Sequence, residues 1–170
     1  MFKRLVVLCG AALLLAGCGT TAFTPQEYPL RPGLIPPFAV AGTARVTSDQ
    51  PSTAPTLVYS YGGTKLSSTL DAITDAMTQQ ANEELQKNGH AHGGTTAKTI
   101  ALRVDSLVSE YGIFSWSSNI KFHVRLGDGQ GIDFAVHHAS GEPLQDLNGC
   151  IAEGVMHLLT DQRVLAYLAS

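Results

Sequence analysis

From Phe114 to Leu126 the side chains alternate in character. Phe114, Trp116, Ser118, Ile120, Phe122, Val124 and Leu126 share one face, and Ser115, Ser117, Asn119, Lys121, His123 and Arg125 share the other. Period-two alternation over that length predicts an antiparallel strand with one buried and one wet face. Gly127-Asp128-Gly129 tolerates positive φ and predicts a tight turn, after which Ile132, Phe134 and Val136 begin a return strand. Upstream, Lys98 to Val108 also alternates, with Ile100, Leu102 and Val104 opposite Arg103 and Asp105. Three consecutive strands of this kind make a meander.

The period changes to that of a helix between Ser67 and Asn88. Leu70, Ile73, Met77, Ala81 and Leu85 recur at three- and four-residue steps and form one apolar stripe, read as core packing. Ser67 or Ser68 can cap the start, with Asp71 in capping-box position after Ser68. Lys87 suits the negative end of the dipole, and Gly89 is the expected stop. Leu147 to Ser170 is helical in character too, with Asn148 as cap and Ile151, Val155, Leu158 and Leu159 as stripe. Thr160-Asp161 then recaps a short helix carrying Val164, Leu165 and Leu168.

Phe38 to Thr47 and Thr56 to Tyr61 have strand composition and flank a Ser-, Pro-, Asp- and Thr-rich loop; His90 to Thr96 reads as a second loop. The order predicts an α+β fold. An antiparallel sheet, the three-strand meander plus one or two N-terminal strands, packs against two main helices. Residues 38–170 form that single domain.

The segment before it has neither period. Residues 19–37 hold five prolines, which exclude a helix interior and remove ladder donors, so 18–37 is predicted to be an extended tether. Residues 1–17 read as a signal peptide. Lys3 and Arg4 precede an apolar run from Leu5 to Leu15, shorter than the roughly 20 residues a membrane span needs. The run ends in Leu15-Ala16-Gly17-Cys18.

That box resembles the bacterial lipobox. The resemblance implies cleavage before Cys18, a diacylglyceryl group on its thiol and acylation (palmitate) of the new amino terminus. It implies anchoring by several acyl chains, firmer than a single chain provides. Gly19, rather than Asp, follows the cysteine and implies an outer-membrane address facing the periplasm.

Composition narrows the field. The 170 residues carry 11 Lys+Arg against 14 Asp+Glu, a formal charge of −3 that disfavours phosphate backbones and excludes a basic nucleic-acid binder. Without Lys3 and Arg4, 9 basic side chains face 14 acidic ones, a formal charge of −5. Cys9 leaves with the leader and Cys18 is lipidated, so Cys150 has no disulfide partner and packing alone must hold the domain.

Lipobox, proline-rich tether and a body of helix, meander and C-terminal helix together resemble the small YajG-type envelope lipoproteins. In outline they are also similar to penicillin-binding-protein activators and the lipopolysaccharide-assembly lipoprotein. Only LAGC is a specific motif. The resemblance implies a non-enzymatic accessory role in the cell envelope. The membrane is held through acyl chains on Cys18, and an envelope protein or glycan is the expected partner. It carries no catalytic residue.

Candidate chemistry is sparse. His90 and His92 could offer two imidazoles to zinc or copper, but no Cys or carboxylate stands at a recognised spacing, and a surface loop is the preferred account. No cofactor is expected. His137 and His138, adjacent on a strand, point to opposite faces. Cys150 and His157 stand about 10 Å apart on one helix, too far for a nucleophile and its base. Ser118-Asn119-Ile120-Lys121 matches Ser-x-x-Lys, yet on a strand its ends point oppositely. Asp71 and Asp75 sit on a solvated helix face. Tyr111, Phe114 and Trp116 would make a contact patch only if Phe114 and Trp116 left the core face. The alternative functions are a metal-binding lipoprotein and an immunity or inhibitor lipoprotein, which needs only a displayed surface.

Overall fold

The computed structural model describes residues 19–170; the leader and Cys18 lie outside that range. In chain order the strands are β1 (Thr20–Ala22), β2 (Phe38–Val40), β3 (Thr43–Ser48), β4 (Thr56–Tyr61), β5 (Thr64–Ser68), β6 (Gly89–Ala91), β7 (Ala97–Tyr111), β8 (Trp116–Leu126) and β9 (Gly131–Ser140). Helix α1 (Leu70–Asn88) separates β5 from β6, and α2 (Pro143–Thr160) and α3 (Gln162–Ala169) close the chain.

The fold is α+β, as the order of elements predicts. β7, β8 and β9 form the antiparallel meander, with β7 and β8 paired from Ile100↔Leu126 to Tyr111↔Trp116. The sheet as a whole is mixed, which corrects the expectation of a purely antiparallel one. β3 and β4 follow one another along the free edge of β7, both parallel to it. The β4–β5 hairpin and α1 carry the chain back, the crossover that parallel pairing requires. Alternation of apolar and polar residues is blind to strand direction, so the sequence pattern could not distinguish the two.

A β-bulge lies between Val104 and Ser106. The extra residue shifts the phase, so Leu107 and Ser109 are buried and Val108 is exposed. Between the end of β3 and the start of β4 the edge of β7 has no strand partner. There the Val104 N–H donates to the buried Thr74 hydroxyl of α1 at 3.2 Å, satisfying a donor that burial would otherwise penalise.

Both long helices cover one face of the sheet. Ile73, Met77, Ala81 and Leu85 of α1, and Leu147, Ile151, Val155 and Leu158 of α2, are buried against Ile100, Leu102, Ile120, Phe122 and Val124. Phe122 and its strand partner Phe134 stack with ring centroids 4.7 Å apart. Full burial of one such side chain contributes about 1.5–3 kcal/mol, so the predicted stripes are the core.

Details at the element ends differ from expectation. Thr69, not Ser67 or Ser68, caps α1 through Ala72 N–H, and those serines belong to β5. Helix α2 begins at Pro143, four residues before the predicted start, because proline suits a first turn whose N–H groups lack partners. Asp161 does cap α3, accepting from Arg163 and Val164 N–H. The predicted strand 38–47 is two strands, broken where Gly42 takes φ +85°. A Cβ there would come within 2.2 Å of the Thr96 carbonyl oxygen.

Residues 19–37 are not extended throughout, since they turn at 32–35, and they do not form a free tether. β1 pairs with β5, and Phe23 and Ile35 are buried. Gln26 N–H donates to Asn148 Oδ1 of α2 at 2.9 Å, and Gln80 Nε2 of α1 donates to the Tyr28 carbonyl at 2.7 Å. Prolines forbid a helix there, yet the apolar residues between them are free to pack and the side chains of two helices supply the hydrogen bonds.

Candidate functional site

The pairing register gathers one group of aromatic residues at a single end of the sheet. Tyr61 ends β4 and Tyr111 ends β7, which run parallel; Trp116 begins β8 opposite Tyr111. Tyr61 and Tyr111 rings lie 4.2 Å apart, and Tyr111 and Trp116 rings 5.0 Å. The Trp116 indole N–H donates to the buried Tyr59 hydroxyl at 2.9 Å, so the polar atom of each of these two rings has a partner while their apolar surfaces remain in the cluster.

Beyond this group the four residues Gly112–Ser115 close the β7–β8 hairpin, with Gly112 N–H donating to Ser115 C=O at 2.8 Å. The side chains of Ile113 and Phe114 stand at its tip, 83 % and 92 % exposed. This corrects the placement of Phe114 on the buried face: β8 begins at Trp116, and the loop lies outside the alternation. Gly112, between two alternating runs, is the sequence signal that marks the turn.

The first residue of β1, Thr20, pairs with Lys65 beside the β4–β5 turn. The chain therefore joins the sheet at the same end as Tyr61, Tyr111 and the Ile113–Phe114 tip. Cys18, the expected lipidation residue, lies outside the described residues and precedes Thr20 by two positions.

The wet face of the meander carries mixed charge. His123 Nδ1 lies 2.8 Å from Asp133 Oδ1, Arg103 pairs with Asp105, and Arg125 reaches Asp49, each pair at least partly in solvent. Neighbouring charges of both signs give no field that would gather an anionic ligand.

The remaining candidates are dispersed. His90 on β6 and His92 just after it are exposed. Among the described residues no group of three or more His, Cys, Asp or Glu is placed to hold a metal ion. His137 meets Ser117, while His138 Nδ1 lies 2.8 Å from Glu153 Oε2 on the opposite face. Cys150 is buried against the Val136 carbonyl, and His157 is exposed. Burial, with Asp146 and Glu153 adding negative charge, pushes the Cys150 thiol up to about 12, so it is a protonated thiol at neutral pH. Ser118 is buried and Lys121 exposed, which separates the two ends of Ser-x-x-Lys.

Ser118 has a role the sequence pattern did not reveal. Its hydroxyl and that of Ser109 donate to Asp146 Oδ2 of α2. All three are buried, so this polar cluster ties the helix to the sheet and is closed to a substrate. Asp71, expected on a solvated face, is half-buried and accepts from Thr53 N–H and hydroxyl at 3.0 Å, while the same hydroxyl accepts from Leu70 N–H. Asp75 is exposed.

Among the described residues no helix is long and apolar enough to cross a membrane. The chain matches no protein-family model and no curated protein.

Proposed function

We propose that the chain is a lipid-anchored cell-envelope lipoprotein with a non-enzymatic, accessory or partner-binding role, held at the outer membrane and facing the periplasm. The observation that carries this reading is the junction at residue 18. A charged n-region, a short apolar run and Leu15-Ala16-Gly17-Cys18 lie on one side, and a sheet strand starts two residues beyond. Cleavage before Cys18 would leave the described fold intact, since its first pairing is at Thr20.

Mass spectrometry of the protein purified from membranes tests the reading. Diacylglyceryl and acyl mass on an N-terminal Cys18 is expected, with incorporation of labelled palmitate. Cys18→Ala should leave an unprocessed or released chain. A wild-type protein recovered with residues 1–17 intact and no acyl mass would reject it.

A further inference from the structure

We propose that the Ile113–Phe114 hairpin tip enters the lipid bilayer, so that the body rests on the membrane by the end of its sheet at which β1 begins. The proposal rests on the lipid-anchor reading for the presence of a nearby membrane, and on the geometry of the tip for the contact itself.

Two large apolar side chains stand almost fully in water at the point of a hairpin. From Tyr111 to Ser118 no residue is charged, so the tip can leave water without desolvating an ion. The loop N–H of Gly112 is already bonded to Ser115, which lowers the penalty for taking its backbone into a poorly hydrated layer.

Behind the tip stand Tyr61, Tyr111 and Trp116, ring types enriched where membranes meet water. Exposed Glu110 and Lys65 lie on the strands behind and would hold penetration to the headgroup boundary.

The position of Cys18 selects a bilayer over a protein groove as the occupant. Only Gly19 separates Cys18 from Thr20, two residue steps or about 7 Å at full extension, and Thr20 is paired at this end of the sheet. An acylated Cys18 held in a membrane therefore brings this end of the sheet, and the tip with it, within reach of the bilayer. Insertion then becomes an intramolecular step, favoured by high effective concentration.

The single tryptophan of the chain is Trp116, which makes its fluorescence a local reporter. The full chain, purified with its native processing, is reconstituted on phosphatidylethanolamine–phosphatidylglycerol vesicles with brominated or ordinary acyl chains. Flotation measures attachment and Trp116 quenching measures contact. We expect the wild type to float and to be quenched by brominated lipid. The Ile113→Ser/Phe114→Ser chain, altered only at exposed positions, should float equally but lose the quenching.

A chain begun at Gly19, which keeps every described residue and lacks both leader and acyl chains, separates the two claims. Its residual partitioning onto vesicles should fall about tenfold or more when the tip is also changed, as expected for two apolar side chains leaving lipid. Flotation without quenching, or quenching unchanged in the double variant, overturns the tip proposal and leaves the anchor standing. Tip-dependent quenching in a wild-type chain that carries no acyl mass retires the anchor and keeps the tip. A tip that crosslinks only to protein, with Trp116 unquenched on vesicles, also overturns it.

Discussion

The carboxamide of Asn82 and the peptide groups of Val46 form a closed pair: Val46 N–H donates to Asn82 Oδ1, and Asn82 Nδ2 donates to Val46 C=O, both at 2.9 Å. Val46 lies on β3, whose other edge pairs with β7. A helix side chain thus substitutes for a missing strand and closes an edge that would otherwise be free to recruit another chain. Asn82→Ala should lower unfolding free energy by about 1–3 kcal/mol, the range for leaving partly buried polar groups unpaired. Denaturant unfolding of the two chains measures it, and a difference under about 0.5 kcal/mol would mean that water replaces the amide without loss.

Two glycines of α2 should respond oppositely to alanine. A Cβ on Gly149 would come within 2.4 Å of His138 Nε2 and 2.8 Å of its Cδ2, and His138 is held by Glu153. Gly149→Ala should therefore destabilise by about 1–3 kcal/mol despite alanine's better helix propensity. A Cβ on Gly154 would meet the mobile end of Met77 at 2.9 Å, which can swing away at little cost. Gly154→Ala should be near neutral. Thermal unfolding of both variants decides the matter, and equal melting points would contradict the assignment.

Cys150 predicts a pH effect of definite sign. Its folded pKa, about 12, lies above the ordinary thiol value of 9.0. The stabilisation from keeping the thiol protonated is therefore complete below pH 9 and lost as pH rises toward 12, with a slope of at most about 1.4 kcal/mol per unit. Cys150→Ala should remove this part of the alkaline limb. In the folded protein the thiol should also resist iodoacetamide at pH 8 and react only on unfolding; fast labelling of the native chain would refute the burial.

On the acid side the sign reverses. Thr53 N–H and hydroxyl hold Asp71 below its ordinary value, and the Arg163 side chain, with backbone N–H groups, does the same for Asp161. Their stabilisation is present above about pH 4 and lost as pH falls through the lowered values. Asp161→Ala should cost about 1 kcal/mol at neutral pH through loss of the α3 cap. Asp161→Asn keeps a capping oxygen and should mainly flatten the acid limb, as melting temperature against pH would show.

What the sequence disclosed followed from periodicity. The stripe from Leu70 to Leu85 and the alternation from Trp116 to Leu126 became core because each element had one apolar face and a second element to bury it against. Strand β5, Thr64–Ser68, escaped because Leu66 is its single buried apolar residue; what makes it a strand is its hairpin partner β4. The N-terminal segment was misread for a related reason. Prolines report the local backbone, whereas Phe23 and Ile35 lie beside residues of β5 and α1 well downstream in the chain.

The exposed tip was misread through extrapolation. Phe114 continues the hydrophobic alternation of β8 in letters, but the pairing ends at Tyr111 and Trp116, so the rhythm runs on where the ladder stops. Asp146, Ser109 and Ser118 were invisible because no local spacing links them; only the pairing of β7 with β8 and the docking of α2 bring them together.

The shared edge of β7 also bears on the order of assembly. A chain made or threaded through a pore with its N-terminus first presents β3 and the outer side of β4 long before their common partner emerges. β3 cannot complete its ladder until Leu102 is out, nor β4 until Ser109 is, and contacts of such wide sequence separation close slowly. Until then this polypeptide has no finished sheet to obstruct a narrow channel, and final locking must wait for the trailing α2 and α3 to arrive.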